Sequence, residues 1–262
     1  MAGTWSLVNA ESSPCPLRVV QGVWLACRSL PTDSALAAIA TRLDPEPGTA
    51  GVLTVAGAVA VGKSTIAAAL AEELRALGRR VEVVSTDGFL HPNAVLEKRG
   101  LLDRKGFPET YDLDRLDRLL EAARAGRTPL EVPMYSHERY DVVATPDHIE
   151  RPDVLVVEGV VALQRGFGDL AVFIDADPDD IEGWFVARFQ DLVVTAADDP
   201  ASFYRGWIDL GPAEVADLAR AVWRGVNLPN LVEHIDPTRS RADVIIHKGP
   251  DHRILSLEWM DP

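Results

Sequence analysis

The stretch "GVLTVAGAVAVGKSTIAAALAEELRALG", residues 51–78, decides how the rest of the chain is read. A short apolar run ending in Gly57 has strand character. After a glycine-rich turn, Ala and Leu recur at helical spacing until Gly78, a C-terminal stop. The turn between them reads Gly57-Ala58-Val59-Ala60-Val61-Gly62-Lys63-Ser64-Thr65. It satisfies G-x-x-x-x-G-K-[ST] in the required place, between a strand and a helix. Successive backbone N–H groups must wrap a phosphate there, and glycine lets the chain approach without a Cβ in the way. Lys63 then reaches the outer phosphates and the Ser64 hydroxyl is placed to ligate Mg²⁺. The expectation is a nucleoside triphosphate site over Gly57–Thr65, with ATP as the nucleotide because no N-K-x-D guanine reader occurs.

Working outward, "RRVEVVS" reads as a second strand, expected beside the first, and "YDLDRLDRLLEAARAG" as a helix with Leu113, Leu116, Leu119 and Leu120 on one face. "RPDVLVVEG" (151–159), "LAVFIDA" (170–176) and "ADVIIH" (242–247) carry the apolar runs of buried strands. "DPDDIEGWFVARFQDLVV" should start a helix near 178, since Asp-Pro supplies a cap and a first-turn proline, and "PAEVADLARAVWRGV" is helical. Strands alternating with helices predict an α/β domain over 51–262, a P-loop NTPase kinase fold with a mostly parallel central sheet and helices on both faces. Residues 1–50 are interrupted by "ESSPCPLR" and "RLDPEPGTAG", with a short helix, "DSALAAIATRL", between them. They read as an N-terminal extension whose structure the sequence does not specify.

With 262 residues, 47% of them hydrophobic, the chain has the material for a sizeable core. Its net charge of −14 argues against nucleic-acid and anionic-membrane partners, which favour basic patches. A local nest of amides with one lysine still overrides that distant field for an anionic nucleotide. Cys15 and Cys27 form no CxxC, as in a reduced compartment without structural zinc. No basic segment precedes an apolar one at the N-terminus, and no apolar run approaches the roughly 20 residues that span a bilayer. A cytoplasmic location is expected.

"STDGFLHPN" (85–93) places Asp87 at the end of the second strand. Open α/β sheets bind ligands at the carboxyl ends of their strands, and an alcohol kinase needs a carboxylate to accept the hydroxyl proton as the P–O bond forms. Asp-Gly is equally an ordinary turn dipeptide. Glu158 ends the run "VLVV", where an acid can hold a metal-bound water or simply close a strand. Arg188, in "WFVARF", sits at i−3 from Asp191 and could pair with it along the helix.

In order along the chain, "AGAVAVGKST", "STDGFLHPN", "LEKRGLLDRKGFPETYD", "PMYSHERYDVV", "VVEGVVALQ", "WFVARF" and "PTRSRA" resemble the prokaryotic type I pantothenate kinases. Those enzymes phosphorylate pantothenate in the first committed step of coenzyme A synthesis. The resemblance runs from about Gly51 to Lys248. It implies ATP and Mg²⁺, Asp87 as catalytic base, Lys63 and Arg188 over the phosphates, and a homodimer. It further implies that Tyr135 and His137 border the acceptor and that Asn230 hydrogen-bonds it; taken alone, these read as a polar aromatic surface loop and a helix-end cap. Phe185 stands where the family usually has an acceptor-binding tyrosine, and Val160 where it commonly has asparagine. Ala68 replaces an arginine that helps bind coenzyme A, so weakened inhibition by coenzyme A is expected, and tight competition against ATP would refute it. A kinase of the same scaffold acting on a uridine- or cytidine-like nucleoside, or on another small alcohol, is the alternative. A non-catalytic nucleotide sensor is disfavoured, because a binder has no need of the base.

Overall fold

The computed structural model describes residues 32–45, 48–166 and 168–260; the "ESSPCPLR" break, Cys15 and Cys27 lie outside the described residues. In chain order the principal elements are α1 (Thr32–Ala40), β1 (Gly51–Gly57), α2 (Lys63–Ala76), β2 (Val81–Ser85), α3 (Asn93–Lys98) and α4 (Leu113–Arg124). They continue as β3 (Leu130–Val132), β4 (Tyr135–Ser136), β5 (Asp141–Val142), β6 (Asp147–Ile149), β7 (Val154–Glu158) and β8 (Leu170–Asp175). The last are α5 (Pro178–Thr195), α6 (Pro212–Val222), β9 (Val244–Lys248) and β10 (Ile254–Trp259).

Six strands form the central sheet in the order β10-β9-β8-β1-β7-β2. Every pairing is parallel except β9 with β10 at one edge. β1 is buried along its whole length because it pairs on both sides and is covered on both faces, which is why its residues are apolar but for the buried Thr54. One expectation is corrected here. β2 does not lie beside β1; β7 intervenes, pairing Val55 with Glu158 on one side and Ser85 with Glu158 on the other. The chain crosses over two strand positions and then fills the gap, so Glu158, not Asp87, ends the strand next to the phosphate loop.

The two sheet faces carry separate cores. Against one pack α1 and α2, with Leu36, Ile39, Leu70, Leu74 and Trp223; against the other packs α4, with Leu116, Leu119 and Leu120. Gly78 ends α2 at φ +81, with its N–H bonded to Arg75 O at 2.8 Å and that of Arg79 to Leu74 O at 3.2 Å. This left-handed closure favours glycine. Pro178 opens α5, capped by the Asp177 side chain accepting from the Asp179 N–H at 2.9 Å. A third cluster, including Phe189, Tyr204 and Ala219, fills the space between α5 and α6. No described helix is long and apolar enough to cross a membrane.

Candidate active site

The loop from β1 to α2 is held open by its backbone. Gly57 at φ +146 presses on β8, where an added Cβ would meet Ile174 O at 2.6 Å. Ala60, at φ +66, and Gly62, at φ +94, give the left-handed steps that curl the chain. α2 starts with no side-chain cap and no acid in its first turn, whereas α4, α5 and α6 each begin with a side chain bonded to the backbone. Its leading amides are therefore free for an anion. The loop is braced from outside by Lys248, whose Nζ donates to Val61 O at 2.8 Å.

Lys63 donates to Ala58 O at 2.8 Å and lies over the loop. Burial lowers its ammonium pKa, opposed by the Glu158 and Asp87 carboxylates, with Arg188 adding to the lowering. The four charged residues singled out in the sequence thus share one electrostatic neighbourhood. Glu158 is 6% exposed and its carboxylate accepts no hydrogen bond among the described residues; the Lys63 charge lies close to it. Arg188 is exposed on α5 and makes no ion pair among the described residues, so the pairing with Asp191 does not form.

Asp87 lies in a one-turn 3₁₀ segment, Thr86–Phe89, started by the Ser85 Oγ accepting from the Asp87 N–H at 3.3 Å. Its Oδ1 accepts from the Tyr111 hydroxyl at 3.3 Å. Burial raises the Tyr111 pKa well above its ordinary value, and the nearby Asp87 charge adds to the effect, so the phenol stays a donor. Gly88 fixes the turn against the neighbouring segment, since a Cβ there would fall 2.0 Å from Pro133 O.

Near Asp87 is a cluster of aromatic rings. Tyr135 meets His137 edge-on at 5.2 Å between centroids, and Tyr140 stacks on Phe203 at 4.5 Å. The Lys105 ammonium lies 4.9 Å from the Tyr135 ring centre and 4.1 Å from that of Tyr140. It donates to Asn93 Oδ1 at 2.6 Å and Tyr140 O at 2.5 Å. Burial lowers the Lys105 pKa to about 8, against the raising effect of Asp141 and Asp87. Asn230 is no helix-end cap: its Nδ2 reaches Gly106 O at 2.8 Å, next to Lys105, and its buried Oδ1 has no partner among the described residues. It sits where α6 runs on through two π-helical turns, Trp223–Asn227 and Leu231–Ile235, an irregularity common at functional sites. Phe185 instead packs on Trp223, at 5.8 Å, and on Phe189. His137 is exposed; its ring meets Tyr135 edge-on and its carbonyl accepts from the Tyr140 N–H at 3.3 Å.

Sequence reasoning passed over Lys105, Tyr111 and Lys248. The "KGFPE" motif drew notice without its lysine, and nothing local marks a lysine as buried. It also missed Trp184 and His252, stacked at 3.9 Å beside Lys248, the histidine at φ +65. Arg239, in the "PTRSRA" stretch, pairs with Asp175 at 2.9 Å.

The sequence pattern of the Phosphoribulokinase / Uridine kinase family matches residues 52–184. The pantothenate kinase of Streptomyces coelicolor is 42% identical over 248 residues, covering 86% of this chain and 75% of that protein. That of Enterococcus faecalis is 46% identical over 216 residues, covering 78% and 70%. A solved structure described as a candidate fructose transport system kinase from Silicibacter sp. TM1040 has a TM-score of 0.63 at 27% identity, over 78% of this chain and 93% of that one. The D-glycerate 3-kinase from Cryptococcus neoformans, at 14% identity, shares the fold with a TM-score of 0.55 over 87% and 97%. Fold and site define a P-loop small-molecule kinase. The chain belongs to the Phosphoribulokinase / Uridine kinase family, and the curated relatives named above are its pantothenate kinases.

Proposed function

We propose that the chain transfers the γ-phosphoryl group of ATP to the hydroxyl of pantothenate, giving 4'-phosphopantothenate. The observation that carries this is Asp87, oriented by the Tyr111 hydroxyl and close in charge both to the P-loop lysine and to a buried cation, Lys105, set against the Tyr135 and Tyr140 rings. Such a layout suits an acceptor bearing an alcohol at one end and a carboxylate at the other. Curated relatives at 42–46% identity carry the name pantothenate kinase, which supports the same reading.

In this reading the amides of Gly57–Thr65 hold the triphosphate, and Lys63 and Arg188 offset the charge that develops on the transferred group. The acceptor oxygen forms a bond to the γ-phosphorus as the bridging P–O bond to ADP breaks. Asp87 accepts the hydroxyl proton, held in orientation by Tyr111. The Ser64 hydroxyl and the Glu158 carboxylate, an almost buried acid lacking a protein donor, are hard oxygen ligands suited to Mg²⁺ directly or through water. Mg²⁺ neutralises phosphate charge when bound. Lys105 pairs with the acceptor carboxylate, the unpartnered Oδ1 of Asn230 accepts from a polar group of the acceptor, and Tyr135 and His137 border it. Phe185, packed on Trp223 and Phe189, brings no hydroxyl to the acceptor.

Purified protein with Mg-ATP is offered pantothenate, uridine, cytidine and D-glycerate, and products are identified by mass. Phosphorylated pantothenate at the highest kcat/KM is the expected result. A strong preference for a nucleoside would refute the acceptor assignment and leave the kinase assignment intact.

A further inference from the structure

On the sheet face opposite α2, a cavity of about 230 Å³ opens between one side of α4 and the segment leading into β3. Its floor is apolar, made by Phe89, Leu119 and Leu130, each at most 6% exposed. Its rim carries Arg115, Arg118 and Arg127. In a chain of net charge −14, these three guanidinium groups meet one lining carboxylate, Glu131, 3.0 Å from Arg115. Arg118 only just reaches Asp112, at 4.0 Å, and Arg127 makes no ion pair among the described residues.

We propose that this cavity binds a small phosphorylated anion, separately from the P-loop, and acts on the turn that carries Asp87. Planar guanidinium groups match phosphate oxygens in pairs, and an apolar floor that excludes water strengthens each such bond. The connection to the reaction is a short chain of bonded groups. Phe89, in the cavity floor, is the last residue of the Asp87 turn. Its carbonyl accepts from the Asp112 N–H at 2.8 Å. Asp112 also caps α4, accepting from the Arg115 N–H at 2.9 Å, and is the carboxylate nearest Arg118. The residue before it, Tyr111, holds Asp87. An anion that draws Arg118 from Asp112 therefore alters the charges on the joint between α4 and the Asp87 turn.

The probe is sodium pyrophosphate at fixed ionic strength, titrated calorimetrically into a Lys63→Ala chain so that the P-loop contributes least; Lys63→Met serves if the alanine variant is poorly folded. The comparison chain carries Arg118→Ala and Arg127→Ala as well, both at exposed positions. Binding to the first and an affinity weaker by about tenfold or more in the second is expected. Hydrogen exchange across residues 86–92 should change on titration in the first chain alone. Equal affinity in the two chains, absence of binding to either, or binding that leaves exchange at 86–92 unaltered would each overturn the proposal. No acceptor is present, so the outcome is independent of which alcohol the enzyme phosphorylates.

Discussion

Asp87 acts electrostatically on two lysines, Lys63 and Lys105, that burial has made weaker bases. Replacing Asp87 with asparagine keeps an acceptor for the Tyr111 hydroxyl but removes the proton acceptor. The expected loss in kcat is about 10²–10⁴-fold, with nucleotide affinity little changed; turnover at the native rate would remove Asp87 from its role. Lys105 has a pKa of about 8, set by burial and opposed by Asp141 and Asp87. An acceptor carboxylate needs the charged form, so kcat/KM for pantothenate should fall as pH rises through about 8, while kcat at saturation moves less. Lys105→Met should raise the acceptor KM about tenfold or more and abolish that pH limb. Stability runs the other way. The native lysine binds its proton less tightly than the unfolded chain, so unfolding free energy should rise between about pH 8 and the ordinary lysine value near 10.4.

The 3₁₀ turn Thr86–Phe89 is packed closely against the segment that follows β3. Gly88→Ala would drive a Cβ into Pro133 O, at 2.0 Å in the present backbone. The turn must shift, so turnover should collapse while ATP-analogue binding, which depends on the β1–α2 loop, persists; equal loss of both would count against a local effect. At the other edge of the sheet, His247 on β9 joins Asp175 on β8, 3.2 Å from its Nδ1, to Glu258 on β10, 2.9 Å from its Nε2. The hydrogen bond to Asp175 is the main cause raising the His247 pKa, and the same imidazolium, with Arg239, holds Asp175 below the usual carboxylate range against the opposing effect of its burial. A raised histidine stabilises the fold fully below its unfolded value, near 6.5, and that stability is lost as pH rises through the folded value. The denaturation midpoint should therefore fall slightly across neutral pH in the native chain and stay flatter in His247→Gln. The group is partly exposed, so the effect is modest.

For the whole molecule, the segment ahead of Gly51 is not idle. Leu36 and Ile39 of α1 are 2% and 0% exposed, in the same core as β1 and α2. Ile39→Ala should cost about 2–5 kcal/mol of unfolding free energy by urea titration; a change within error would mean that α1 packs without supporting the sheet. Readable from residue order alone are the strand–loop–helix of the phosphate loop, the helix that becomes α4, the start of α5 at 178, and the acids at 87 and 158. Those features are contiguous, and their chemistry is set by periodicity, glycine positions and caps within a few residues. The packed fold alone sets β7 between β1 and β2, because strand pairing joins segments whose spacing in sequence carries no trace of their order in space. It also decided that Lys105 is enclosed by Tyr135 and Tyr140, and that Asn230 reaches Gly106 across 124 positions of chain. Burial of a charge and partnership across such a distance arise when remote surfaces meet.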